Sequence, residues 1–149
     1  MTSGSDLCDA IPKVELHCHV EGSVRPETVA DLARNAGRAL PVEDPTELYR
    51  FTSLDSFLAI FWMVQETLVE PGDWERIAYE SLVDAAAHGL RYREMFFTPA
   101  RHLAAGQALA GIVDGLTAGI EAAEADRSRH PIPRAARGCR RHRDSNWRS

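Results

Sequence analysis

From Val14 to Glu21 apolar and polar residues alternate. Val14, Leu16, Cys18 and Val20 fall on one face of an extended segment, and Glu15, His17, His19 and Glu21 on the other. A period of two in a short run rich in β-formers predicts a strand. After Gly22 the pattern changes to helical spacing. In RPETVADLARNAG, Pro26 stands where a first helical turn tolerates it, Glu27 sits near the positive end of the helix dipole, and Gly37 provides a stop. DPTELYRF opens with Asp44, Pro45 and Glu47, a capping pattern for a short helix, and Ser53 begins SLDSFLAIFWMVQETL, whose apolar residues nearly encircle a helix. Such a helix must be covered or must cover something. EPGDWERIAYESLVDAAAHG places Trp74, Ile77, Ala78, Ser81, Leu82 and Ala85 at steps of three and four and ends at Gly89. LRYREMFFTP returns to extended patterning and is closed by Pro99; Gln107 to Asp126 is helical despite Gly111, Gly115 and Gly119, which let the helix sit close to a neighbour.

Strand, helices, strand, helix is the order of an α/β protein, with a parallel sheet and right-handed crossovers. A third strand is expected after Asp126. In its place stands RSRHPIPRAARGCRRHRDSNWRS, with two prolines and few consecutive apolar residues. Charge marks the same boundary: residues 1–126 hold 9 Lys+Arg against 21 Asp+Glu, a net of −12, whereas residues 127–149 hold 8 Arg and one Asp, a net of +7. An arginine-rich arm can bind nucleic acid by counterion release, but the acidic body and the lack of interleaved aromatics beyond Trp147 disfavour it. The chain has one Lys against sixteen Arg, the bias of a GC-rich coding sequence. The expectation is therefore an α/β part over 1–126 and a tail over 127–149 foreign to that fold, as a frame shift near Arg127 would produce.

Among 149 residues, 44% hydrophobic and 26% charged, the composition is globular. The longest apolar run, Leu58 to Val64, is far too short to span a bilayer, and MTSGSDLCDA lacks the apolar stretch of a secretory signal. A soluble, cytoplasmic protein is expected. Cys8, Cys18 and Cys139 show no C-x-x-C spacing and are read as free thiols, Cys18 being a small core residue.

The histidines carry the chemistry. Residues i and i+2 of a strand project from one face about 7 Å apart, close enough for two imidazoles to converge on one ion at Zn–N distances of about 2.0–2.1 Å. A surface strand with a polar outer face would show the same alternation. If the sheet is parallel and covered by helices, however, Glu15, His17, His19 and Glu21 cannot simply face water. At the C-terminal end of a strand they would occupy the usual active-site position of a parallel barrel. Trp62, Trp74 and Tyr92 are read as core, and His88 and His102 as surface or loop residues.

IPKVELHCHVEGSVRPETV resembles the opening strand and first helix of the adenosine deaminase family, with its Pro-Lys-x-Glu-Leu-His-x-His-x-(Asp/Glu)-Gly signature. SLDSFLAIF is similar to that family's hydrophobic segment over the substrate pocket, and GLRYREMFFTPARH to its second barrel strand. The resemblance runs from Ile11 to Asp126, about the first third of a complete (β/α)8 member. It implies an incomplete barrel and the zinc-dependent hydrolytic deamination of a 6-aminopurine, adenosine giving inosine and ammonia. It also implies His17 and His19 as the first two zinc ligands, His19 and Glu21 at the substrate, and Phe57, Leu58 and Phe61 lining an apolar lid. Ordinary helix core would give Phe57, Leu58 and Phe61 the same spacing. Glu21 departs from the Asp commonest in adenosine deaminases, Phe96 stands where many of them have Arg, and EMFFTP is similar to the adenine deaminase branch, so adenine is the alternative substrate.

In the family the later strands supply a third His and an Asp ligand, the Glu that shuttles the proton, and a His and an Asp that position the attacking water. Residues 99–149 contain His102, His130 and His142 but no His-Ala-Gly-Glu-like or Asp-Asp-like segment. No catalytic acid or base is therefore expected within the chain, which alone should be inactive and poorly soluble. HVE also satisfies half of a cytidine-deaminase signature, but the P-C-x-x-C partner is absent. Other barrel hydrolases share His-x-His; PKVELH and EGSVRPET favour the purine deaminases. The reading of another class is a non-catalytic α/β fragment with buried histidines and a basic, partner-binding tail.

Overall fold

A computed structural model describes residues 11–126 and 134–135. Strand β1 (Lys13–His19) runs into a single 3-10 turn at Val20–Gly22 and then helix α1 (Pro26–Asn35), with Pro26 in its first turn and Gly37 beyond its end at φ 66°. The DPTEL segment forms only a 3-10 turn, Pro45–Glu47, whose Thr46 N–H donates to Asp44 Oδ1 at 2.9 Å. Helix α2 (Leu54–Thr67) starts at a reciprocal cap: the Ser56 N–H donates to Ser53 Oγ at 3.1 Å and the Ser53 N–H to Ser56 Oγ at 3.0 Å. Helix α3 (Pro71–Ala87) ends in a turn with Gly89 at φ 75°, and β2 (Leu90–Phe96) comes next. Pro99 does more than close the strand, because it opens a short helix, α4 (Pro99–Ala104), that the sequence periodicity does not reveal. Helix α5 is Leu109–Ala125 and β3 is Arg134–Ala135.

The sheet order is β1-β2-β3, and both pairings are parallel. Helices fill both connections, so the chain is α/β, the N-terminal part of a (β/α)8 barrel. The expectation that no strand follows Asp126 is corrected in one respect, since Arg134 and Ala135 pair with Tyr92 and Arg93. The rest of the 127–149 tail, with Cys139, His130 and His142, lies outside the described residues, as does Cys8.

The face assignment of β1 is corrected as well. Glu15 pairs with Arg93 and Cys18 with Met95, three steps along β1 against two along β2, so β1 carries one extra residue between Glu15 and Cys18. A single extra residue reverses the alternation beyond it. Glu15 and Cys18 therefore share the helix side with Arg93, which joins Glu15 at 2.6 Å and donates to the Ser81 carbonyl of α3 at 2.9 Å. Cys18 is buried there, and its thiol is pushed up by that burial. Val14 goes with His19 to the opposite, inner face, where Val14 is 65% exposed.

The core lies between β1, β2 and the helices and includes Val20, Val29, Leu32, Leu68, Trp74 and Ile77. Trp74 is fully buried, donating from its indole to Gln107 Oε1 at 3.3 Å, while Gln107 donates to the Leu68 carbonyl at 2.5 Å. His102, expected at the surface, is 2% exposed, its ring edge-on to Trp74 at 4.6 Å, and burial lowers its pKa. Trp62, expected in the core, is 44% exposed beneath the Arg101 guanidinium. No helix among the described residues is long and apolar enough to cross a membrane.

Candidate active site

The paired histidines sit at the end of β1, on the C-terminal edge of the sheet. With His17 in the bulged stretch and His19 just beyond it, both project from the inner face and are exposed to solvent there, unlike the buried histidines expected of a covered sheet. Their Nε2 atoms are 3.2 Å apart. Two nitrogens on one tetrahedral ion at ordinary Zn–N distances lie about 3.3 Å apart, so the pair fits one edge of a zinc coordination sphere. Phe96, from the end of β2, stacks on the His17 ring at 4.2 Å and 24°. Among the described residues no cluster of three or more His, Cys, Asp or Glu side chains could hold a metal, so the two imidazoles stand as a partial ligand set.

Glu21, in the 3-10 turn after β1, is fully buried. One oxygen, Oε1, accepts the Thr98 backbone N–H at 2.6 Å, whereas Oε2 is buried without a partner. Burial pushes the carboxyl up, with the Thr98 N–H opposing it. A folded pKa above the unfolded one costs stability once pH rises past the ordinary carboxyl range. Glu21→Gln is therefore expected to be more stable than the parent at pH 7, with the gain vanishing as pH falls below the ordinary carboxyl range. Urea unfolding at pH 7 and below that range checks this, and an equal effect at both would show that ionisation is not the cause.

Aromatic rings run from helix α2 to the histidines. Phe51 meets Phe57 at 5.2 Å, Phe57 stacks on Phe61 at 5.8 Å, and Phe61 meets His19 edge-on at 6.2 Å. Phe61 is thus half-buried beside the imidazole pair, while Phe57, one helical turn away, is 37% exposed at the rim and Leu58 is half-buried. Thr98 went unnoticed in the sequence although it touches both Glu21 and His19; its one signal is its place just after the second strand. A separate recess of about 540 Å³ between β1 and α3, lined by Lys13, Glu15, Ser81, Asp84 and Arg93 among others, includes neither histidine nor Glu21.

Parallel strands joined through helices, with paired imidazoles at the C-terminal end of the first, define the class: the opening of a (β/α)8 barrel with its candidate site at the C-terminal edge of the sheet. The family profile described as Adenosine deaminase matches residues 12–147. The chain belongs to the adenosine deaminase family. It is 40% identical over 114 residues to an adenine deaminase of Streptomyces coelicolor, covering 74% of this chain and 34% of that protein. It is 35% identical over 121 residues to an adenosine deaminase of Clostridium botulinum, covering 76% and 36%. The crystal structure of an amidohydrolase from Burkholderia ambifaria, with bound Zn, superposes with a TM-score of 0.76 at 30% identity over 91% of this chain and 37% of that one. The chain thus spans about a third of the length of the relatives it matches.

Proposed function

We propose that residues 11–126 form the metal-clip and substrate-lip portion of a zinc-dependent hydrolytic deaminase of 6-aminopurines. The approach of His17 Nε2 and His19 Nε2 to 3.2 Å carries this reading, beside a buried carboxyl with one oxygen free to accept a substrate N–H or O–H. Zinc, when bound, would activate water for attack on the carbon bearing the amine. His17 and His19 would hold it, Glu21 would orient the substrate through Oε2, and Phe61 would keep bulk water from the purine face.

Adenosine is the substrate of the commonest family pattern, and adenine is favoured here by two features. Glu21 is one methylene longer than the usual Asp, and Phe96 presents an aromatic face where many adenosine deaminases carry Arg. The relatives' names, adenine deaminase at 40% and adenosine deaminase at 35% identity, lean the same way.

Catalytic zinc uses about three protein ligands, so the 149-residue chain alone is expected to release no ammonia above background. A chimera in which residues 12–126 replace the matching segment of the Streptomyces coelicolor adenine deaminase is expected to deaminate adenine in preference to adenosine. A folded, zinc-loaded chimera inert toward both would overturn the proposal, and a preference for adenosine would reverse the choice of substrate.

A further inference from the structure

Thr98 reaches both halves of the site from one position just past β2. Its backbone N–H holds Glu21 Oε1 at 2.6 Å, and its Oγ1 lies 3.4 Å from His19 Nδ1. The other nitrogen of His19, Nε2, lies 3.2 Å from His17 Nε2. A hydrogen bond between two neutral imidazole nitrogens needs one protonated and one bare. With its proton on Nδ1, His19 donates to Thr98 Oγ1, leaves Nε2 bare, and accepts the Nε2–H of His17. With its proton on Nε2, His19 would block the nitrogen a metal must take.

We infer that Thr98 is a positioning residue: its hydroxyl oxygen accepts the Nδ1–H of His19 and so keeps Nε2 bare and aimed at the metal position. This rests on His19 being a metal ligand, as in the proposed function. A ligating imidazole commonly donates its second N–H to such an oxygen, which fixes tautomer and ring orientation. Here the oxygen comes from the neighbouring strand's end, and the same residue holds Glu21 through its backbone. Substrate carboxyl and metal imidazole are thereby set relative to each other by one residue that touches neither metal nor substrate.

The test uses the full 149-residue chain with ¹⁵N-labelled histidine, free of metal, at mildly alkaline pH. Long-range ¹⁵N–¹H spectra are expected to show His19 protonated on Nδ1 in the parent and in Thr98→Ser, and chiefly on Nε2 in Thr98→Val. Zinc affinity by competition with a chelating dye should fall about 10–100-fold in Thr98→Val and stay within about threefold in Thr98→Ser. A folded Thr98→Val with unchanged tautomer and affinity overturns the inference. Should Thr98→Val fail to fold by circular dichroism, Thr98→Ala decides by the same two readouts, since its backbone N–H still serves Glu21. Deamination enters neither readout, so an inert chimera with a switched tautomer would sink the proposed function and leave the role of Thr98 standing.

Discussion

Gly115→Ala is expected to destabilise the chain by about 3 kcal/mol or more, enough to unfold much of a marginally stable domain. A Cβ at Gly115 would lie 2.2 Å from the Pro71 carbonyl oxygen and 2.9 Å from Trp74 Cβ, and one at Gly119 would lie 2.2 Å from the Glu75 carbonyl oxygen. These neighbours belong to the backbone and first turns of α3, so no side-chain rotation relieves the overlap. Either α5 moves away from α3, and Trp74 loses its lid, or the helix pair does not form. Gly111 serves as the internal control. A Cβ there would meet only Pro71 Cγ, at an ordinary 3.5 Å, so Gly111→Ala should be neutral or stabilising by up to about 1 kcal/mol through helix propensity. Urea melts of the three proteins check the difference. If Gly115→Ala melted like Gly111→Ala, the close approach of α5 to α3 would be wrong.

His17→Ala in the chimera with the Streptomyces coelicolor enzyme is expected to abolish zinc retention and to lower the rate of ammonia release by at least about 1000-fold. His17 is exposed, with its ring against Phe96 and His19, so its removal should leave the fold intact. The loss would then be chemical: one of the two converging nitrogens disappears, and the ligand set falls below the three that catalytic zinc uses. Zinc content by atomic absorption and circular dichroism separate this from misfolding. Retained zinc and rate would support the reading in which the histidines are merely structural.

Much of the fold was legible because its signals are local. The Ser53 cap, the proline at position 26, and the glycines at 37 and 89 act within one or two turns of themselves, and the three-and-four spacing from Trp74 to Ala85 marks a buried stripe whatever covers it. Family membership was legible for the same reason, since the His-x-His-x-Glu-Gly run is contiguous. The α/β class came from a strand returning to a parallel strand through helices, and the partial barrel from the family resemblance.

What could not be read depended on partners distant in sequence. A period of two assumes an uninterrupted ladder, and the extra residue between Glu15 and Cys18 exists only because β2 has one fewer there. That bulge brings Cys18 to the same face as Glu15 and Arg93 and leaves the imidazoles to the inner face. His102 is buried because Trp74 and Gln107 close over it, and Trp62 is exposed because α2 turns that side outward. Thr98 became visible as a neighbour of both Glu21 and His19 only when β2 was laid beside β1. The sequence by itself determined β1, β2, the four long helices and their order, the family and the pair of histidines, because these rest on backbone preference and on residues adjacent in the chain. Only the tertiary structure decided which face each side chain meets, which glycines carry a backbone contact, and which carboxyl oxygen stands without a partner, because packing and desolvation are set by groups brought together from distant parts of the chain.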